Sequence, residues 1–168
     1  LSAWSADNQK AIEYFQSGFP EYAKAILLNN LQDPSTNKEE AYFNLGEIYF
    51  ALNMPDSAAY YYQKGLEANP NSVANKIGAA KLKIQSDSKA AEDVFKEIVS
   101  GKNKKNPEYY TRIGQAYLDN GNLEEALRYA EKAKQADVKY ADAYLLHGDI
   151  YAAEKNAGKA AEQYEQAI

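Results

Sequence analysis

Few side chains in this sequence could carry chemistry. His147 is the single histidine, and the 168 residues include no cysteine. Thiolate nucleophiles, disulfides and cysteine-ligated metals are therefore excluded together. One imidazole without thiolates builds a zinc site only if several carboxylates join it. Adjacent carboxylates occur at Glu39-Glu40, Glu92-Asp93 and Glu124-Glu125. Such pairs are the raw material of glycosidase-type acid/base work. Here they fall at predicted helix starts or on solvent faces, where acidic charge suits the helix dipole or solubility. No HExxH, P-loop, Gly-x-Gly-x-x-Gly or Gly-x-Ser-x-Gly pattern is present. The reading is a protein that is not an enzyme and needs no metal or cofactor. Lys102, Lys104 and Lys105 share one short stretch without interleaved aromatics. That is a poor nucleic-acid pattern and reads as a solvated connector.

Composition narrows the classes further. Charged residues make up 26% and hydrophobic ones 45%, which fits a chain with a real core. No apolar run approaches the roughly 20 residues that cross a bilayer, so direct membrane insertion is not expected. A net charge of −5 repels phosphate backbones, so nucleic acid is not expected as a partner. The stretch Ser2-Ala3-Trp4-Ser5-Ala6 partly matches the tail of a secretory cleavage site, with Ala-x-x-Ala in place of Ala-x-Ala. Ordinary frayed sequence is the alternative, so the compartment stays open between periplasmic or secreted and cytoplasmic.

The elements that position these residues recur. Leu45-Gly46-Glu47-Ile48-Tyr49 returns as Ile77-Gly78, as Ile113-Gly114-Gln115-Ala116-Tyr117, and as His147-Gly148-Asp149-Ile150-Tyr151. The glycines are 32, 36 and 34 residues apart, and Ala11 takes the same slot one unit earlier. His147 occupies the place of Leu45, Ile77 and Ile113, which predicts a histidine packed between helices. Lys81 stands where the other units have tyrosine. A second half repeats as Ala58…Tyr62…Gly65, Ala126…Ala130…Ala133 and Ala160…Tyr164…Ala167.

These residues resemble the tetratricopeptide repeat, a 34-residue unit of two antiparallel helices. The resemblance implies an all-α, right-handed α-solenoid in a single domain, with units near 4–37, 38–71, 72–106, 107–140 and 141–168. Local patterns agree. Tyr42, Leu45, Tyr49 and Leu52 fall on one helical face. Pro20 and Pro55 sit at helix starts. Asn122 with Glu125 reads as a capping box. Gly46 and Ala58 are small where two helices should cross closely. Helices are expected at 6–17, 20–32, 38–52, 55–68, 72–85, 88–100, 107–119, 122–135, 140–154 and 157–168. Tyr42, Tyr49, Tyr62, Tyr110, Tyr117, Tyr144, Tyr151 and Tyr164 match aromatic packing slots. The last helix has neither stop signal nor polar cap, which points to the amino-terminal part of a longer chain.

What the resemblance implies for function is protein or peptide binding in a groove walled by the first helix of each unit. The matching positions are Phe15, then Phe43, Glu47 and Phe50, then Asn75, Thr111, Gln115, Leu145 and Asp149. Asn8, Ile12, Ala79, Leu82, Leu118 and Ala152 share that face. The alternative is a structural or assembly module that packs against other domains of a longer chain. One subclass of the family grips the carboxyl terminus of heat-shock chaperones with a Lys/Asn/Arg clamp. The matching slots here hold Phe43, Glu47, Lys76, Glu108 and Arg112, so only Arg112 keeps the expected type and that partner is not expected.

Overall fold

Turn residues decide where each helix of this chain begins. A computed structural model describes residues 6–168; of the candidate cleavage stretch, residues 2–5 lie outside the described residues. The helices are α1 (Ala6–Gln16), α2 (Pro20–Asn30), α3 (Lys38–Ala51), α4 (Pro55–Ala68), α5 (Val73–Lys81), α6 (Ser88–Ile98), α7 (Pro107–Asp119), α8 (Leu123–Ala136), α9 (Ala141–Ala153) and α10 (Ala157–Gln166). A 3-10 turn spans Gly101–Asn103. No strand occurs among the described residues.

Proline opens α2, α4 and α7, where a missing N–H is harmless. The side chains of Asn37, Ser72, Asp87, Asn106 and Asn156 accept backbone N–H groups at the starts of α3, α5, α6, α7 and α10. Each such cap contributes about 1 kcal/mol. Most turns inside a pair use one left-handed residue. Gly18 (φ 84°), Asn53 (φ 58°), Gly121 (φ 74°) and Lys155 (φ 60°) supply it in four pairs. Asn122 differs from the sequence expectation: its side chain makes no cap bond at α8.

Residues up to Leu82 form one compact unit and Lys83–Ile168 a second. In the first, α1 pairs with α2, α3 with α4, and α5 packs on both α3 and α4. Its core joins Ala11, Ala23, Leu27, Ala41, Leu45 and Ile48. α5 ends at Lys81, about a turn earlier than the periodicity predicts. Ile84 explains the difference, because it is buried from within a turn and so extends the apolar pattern past the helix.

In the second unit α7 pairs with α8 and α9 with α10, and α7 touches α9. Phe95 of α6 is fully buried and meets the ring of Tyr117 edge-on at 5.4 Å. Tyr110 and Tyr144, one repeat apart, each donate the hydroxyl to a carbonyl six residues back, Lys104 and Val138, at 2.9 Å.

Candidate functional site

Glycine in the first helix of a pair makes room for a tyrosine from the second. A Cβ on Gly46 would come within 2.4 Å of the Tyr62 ring, and one on Gly78 within 2.3 Å. Tyr62 is fully buried, with the same ring edge against both α3 and α5. The glycine thus accommodates a side chain. Gly148 repeats the device, with the Tyr164 ring 2.3 Å from a would-be Cβ.

The hydroxyls of these tyrosines end on the next first-helix residue. Tyr62 donates to Glu47 of α3. Tyr164 donates to Asp149 of α9 at 2.7 Å, and that bond is the first cause holding the phenol above its ordinary pKa. At α7 the glycine slot is Gly114 and the acid slot is Gln115. There α8 carries Ala130 in the slot of Tyr62; Leu146 of α9 fills the hollow, its Cδ2 2.6 Å from a would-be Gly114 Cβ with Tyr129 Cβ at 3.3 Å, and Gln115 donates to Asp119 at 2.9 Å.

In the first unit two of the predicted residues, Glu47 and Phe50, meet Lys81, and a third, Phe43, packs on the Tyr62 ring beside it. Its ammonium pairs with the Glu47 carboxylate at 2.7 Å and lies 4.2 Å from the centre of the Phe50 ring. Phe43 packs its ring 6.2 Å from that of Tyr62. Lys81 is 2% exposed while Glu47 keeps a quarter of its side chain in solvent. A buried ammonium needs such a partner, since an isolated one loses its hydration without return. The sequence shows Lys81 only as a departure from tyrosine; its partner one repeat upstream becomes visible in three dimensions.

The other predicted residues separate. Phe15 is half-buried against the core of the first unit. Asn75 is fully buried: its amide donates to the Glu39 carbonyl at 3.2 Å and to the Ser72 hydroxyl at 3.0 Å. Gly65 of α4 lies so close that a Cβ there would overlap the Asn75 amide. Asn75 thus ties α5 to its neighbours and offers no surface. In the second unit Thr111 is half-buried and donates to the Pro107 carbonyl at 2.9 Å. Gln115, Leu145 and Asp149 are exposed.

His147 is buried and stacked 4.7 Å from Tyr151, as its slot predicts. The Lys134 ammonium faces its Nδ1, and an ammonium only donates. Nδ1 therefore accepts, and the ring proton sits on Nε2, which is buried without a partner among the described residues. Burial first, then the Lys134 charge, hold the imidazole below its ordinary pKa; Glu131 opposes them from 3.2 Å. No group of three or more His, Cys, Asp or Glu able to hold a metal is found among the described residues. No described helix is long and apolar enough to cross a membrane.

Family models described as tetratricopeptide repeat match residues 39–72, 107–139 and 141–168, together more than half of the chain. The chain belongs to the tetratricopeptide repeat family. A TPR repeat-containing protein of Methanocaldococcus jannaschii is 34% identical over 88 residues, 52% of this chain and 27% of that protein. The chain thus spans about a quarter of that relative's length. A tetratricopeptide repeat protein from Parabacteroides merdae has a TM-score of 0.66 at 24% identity, covering 95% of this chain and 62% of that one. PilF of Pseudomonas aeruginosa gives 0.57 at 21% identity, with 96% and 73% covered. MamA of Desulfovibrio magneticus gives 0.52 at 19%, with 98% and 95% covered. These likenesses establish the all-α solenoid fold of antiparallel helix pairs. Proteins of this repeat family are in general interaction modules that bind proteins or peptides.

Proposed function

We propose that this chain is a scaffold that binds a peptide or partner segment on the first-helix faces of its repeats, and that it has no catalytic activity. The observation that carries the reading is the set Phe43, Glu47 and Phe50 on α3, of which Glu47 and Phe50 contact Lys81 and Phe43 packs on the neighbouring Tyr62 ring. All three are only half-buried. The cluster offers aromatic surface beside a carboxylate whose orientation is held by Tyr62 and Lys81. Rigid aromatics beside a fixed polar group are what a hot spot needs, because little side-chain entropy is lost on binding. Asn75 drops out of the proposed surface because it is buried. In the second unit, Gln115, Leu145 and Asp149 of α7 and α9 are the exposed residues at the matching positions. Nucleic acid does not suit an acidic chain. The chaperone carboxyl terminus does not suit slots holding Phe43 and Glu47.

Selection from a displayed peptide library, followed by affinity measurement on Phe43→Ala/Phe50→Ala, tests the reading. A selected peptide whose affinity falls at least tenfold supports it; selected peptides that ignore both phenylalanines contradict it. A second reading, docking against another domain, draws on one observation. Tyr14, Phe19 and Tyr22 are 36%, 51% and 65% exposed and pack against one another, with centroids 5.9–6.5 Å apart. Tyr14→Ala/Tyr22→Ala would then free that domain while leaving peptide binding intact.

A further inference from the structure

The second unit holds a cavity of about 390 Å³ lined by α6, the connector after it, Tyr110 of α7, and α8. Four cations line it: Lys96 of α6, Lys104 of the connector, and Arg128 and Lys132 of α8. No carboxylate is part of the lining, although the protein carries a net charge of −5. Tyr110 and Tyr129 complete the wall, and both are buried.

The cations differ in how they are balanced. Lys96 pairs with Glu92 at 2.6 Å and Arg128 with Glu125, each within its own helix. Such exposed pairs are weak and exchange readily. No carboxylate pairs with Lys104 or Lys132 among the described residues. Lys132 instead lies 5.2 Å from the centre of the Tyr129 ring, with the Arg128 guanidinium 5.3 Å from the same ring. Burial, then the neighbouring charge of Arg128, hold the Lys132 ammonium below its ordinary pKa. Like charges are thus held together around a space large enough for a ligand group. An anion entering that space would gain several charge-assisted hydrogen bonds and relieve the repulsion.

We propose that this cavity is a second binding site, which takes a phosphomonoester or paired carboxylates borne by an acidic peptide segment of a protein partner. The positive area is small, and two of its cations are paired with Glu92 and Glu125. It suits one anionic side chain and would repel an extended phosphate backbone. The site shares no residue with the first-helix surface and stands independently of that reading.

The test uses fluorescence anisotropy with the whole chain and two labelled probes, a hexaglutamate peptide and a single-phosphoserine peptide of otherwise neutral sequence. At least one binds, more tightly at low salt, and the tighter one identifies the anion. Lys132→Gln and Arg128→Gln each weaken it by roughly tenfold. Lys102→Gln, exposed in the same connector, leaves it unchanged. Phe43→Ala/Phe50→Ala also leaves it unchanged, which separates the two sites. Helicity is checked by circular dichroism. Should a substitution beside Tyr129 unfold the chain, Lys96→Gln, on a side chain 62% exposed, gives the same weakening without that risk. Failure of both probes to bind overturns the proposal, as does equal binding by folded Lys132→Gln and Arg128→Gln. Binding of phosphatidylserine vesicles that neither peptide competes for overturns it as well.

Discussion

Replacing Gly46 by alanine should reverse its effect according to what fills the Tyr62 position. In the middle of an ordinary helix, Gly→Ala stabilises by about 1 kcal/mol. Here the new Cβ would meet Tyr62 Cε1 at 2.4 Å, far inside the contact distance of two carbons. The ring cannot retreat freely, because the same edge also faces Gly78 and the hydroxyl is held by Glu47. Overpacking of this kind costs about 1–3 kcal/mol. Set against the gain in helix propensity, Gly46→Ala should destabilise the protein by about 2 kcal/mol at the upper end. In a Tyr62→Leu background the obstacle is gone, and the same change should stabilise by up to about 1 kcal/mol. The two legs differ by about 3 kcal/mol, the size expected for residues in direct contact. Urea denaturation followed by circular dichroism on the four proteins measures it. Gly158→Ala, whose Cβ meets nothing closer than 4.0 Å, provides the propensity control. Equal stabilisation in both backgrounds would refute the idea that glycine is there to seat the ring.

Glu47→Ala removes the carboxylate from an ammonium that is 2% exposed. It should destabilise by about 2 kcal/mol in the same assay, below the figure for a fully buried pair because Glu47 itself reaches water. Glu47→Gln, which still accepts from Lys81 and Tyr62, should cost less. His147 has a depressed folded pKa, so below its unfolded value of 6.5 the unfolded chain binds more protons than the folded one. Its contribution to stability is complete above pH 6.5 and is lost as pH falls through the folded pKa. The melting temperature should therefore fall less on acidification for His147→Leu than for wild type. Asn106→Ala should cost about 1 kcal/mol of stability by uncapping α7, whereas Asn122→Ala should cost almost nothing, because only the first side chain caps a helix.

Local chemistry made the helices legible in the sequence. Prolines and capping side chains mark helix starts, and the glycine-to-tyrosine spacing of Gly46–Tyr62 recurs at Gly148–Tyr164. Misreadings arose where one letter has two meanings. Asn122 has the composition of a cap and lacks the bond. Ile84 has the apolar character of a helix face and sits in a turn. Depth was not legible either. Asn75 shares a register with Phe43 and Thr111, yet Gly65 lets α4 come close enough to bury it. Long-range partnership was the least visible. Lys81 and Glu47 meet from a full repeat apart, and the cavity cations come from α6, the connector and α8. Nothing in a linear pattern distinguishes such a cluster from ordinary solvated lysines.

The central claim is that the half-buried aromatics of α3 recognise a partner segment. Its most direct measurement is the affinity of a library-selected peptide for wild type and for Phe43→Ala/Phe50→Ala at matched helicity. The account predicts a loss of at least tenfold on removing the two rings. An unchanged dissociation constant in a folded double variant would contradict it.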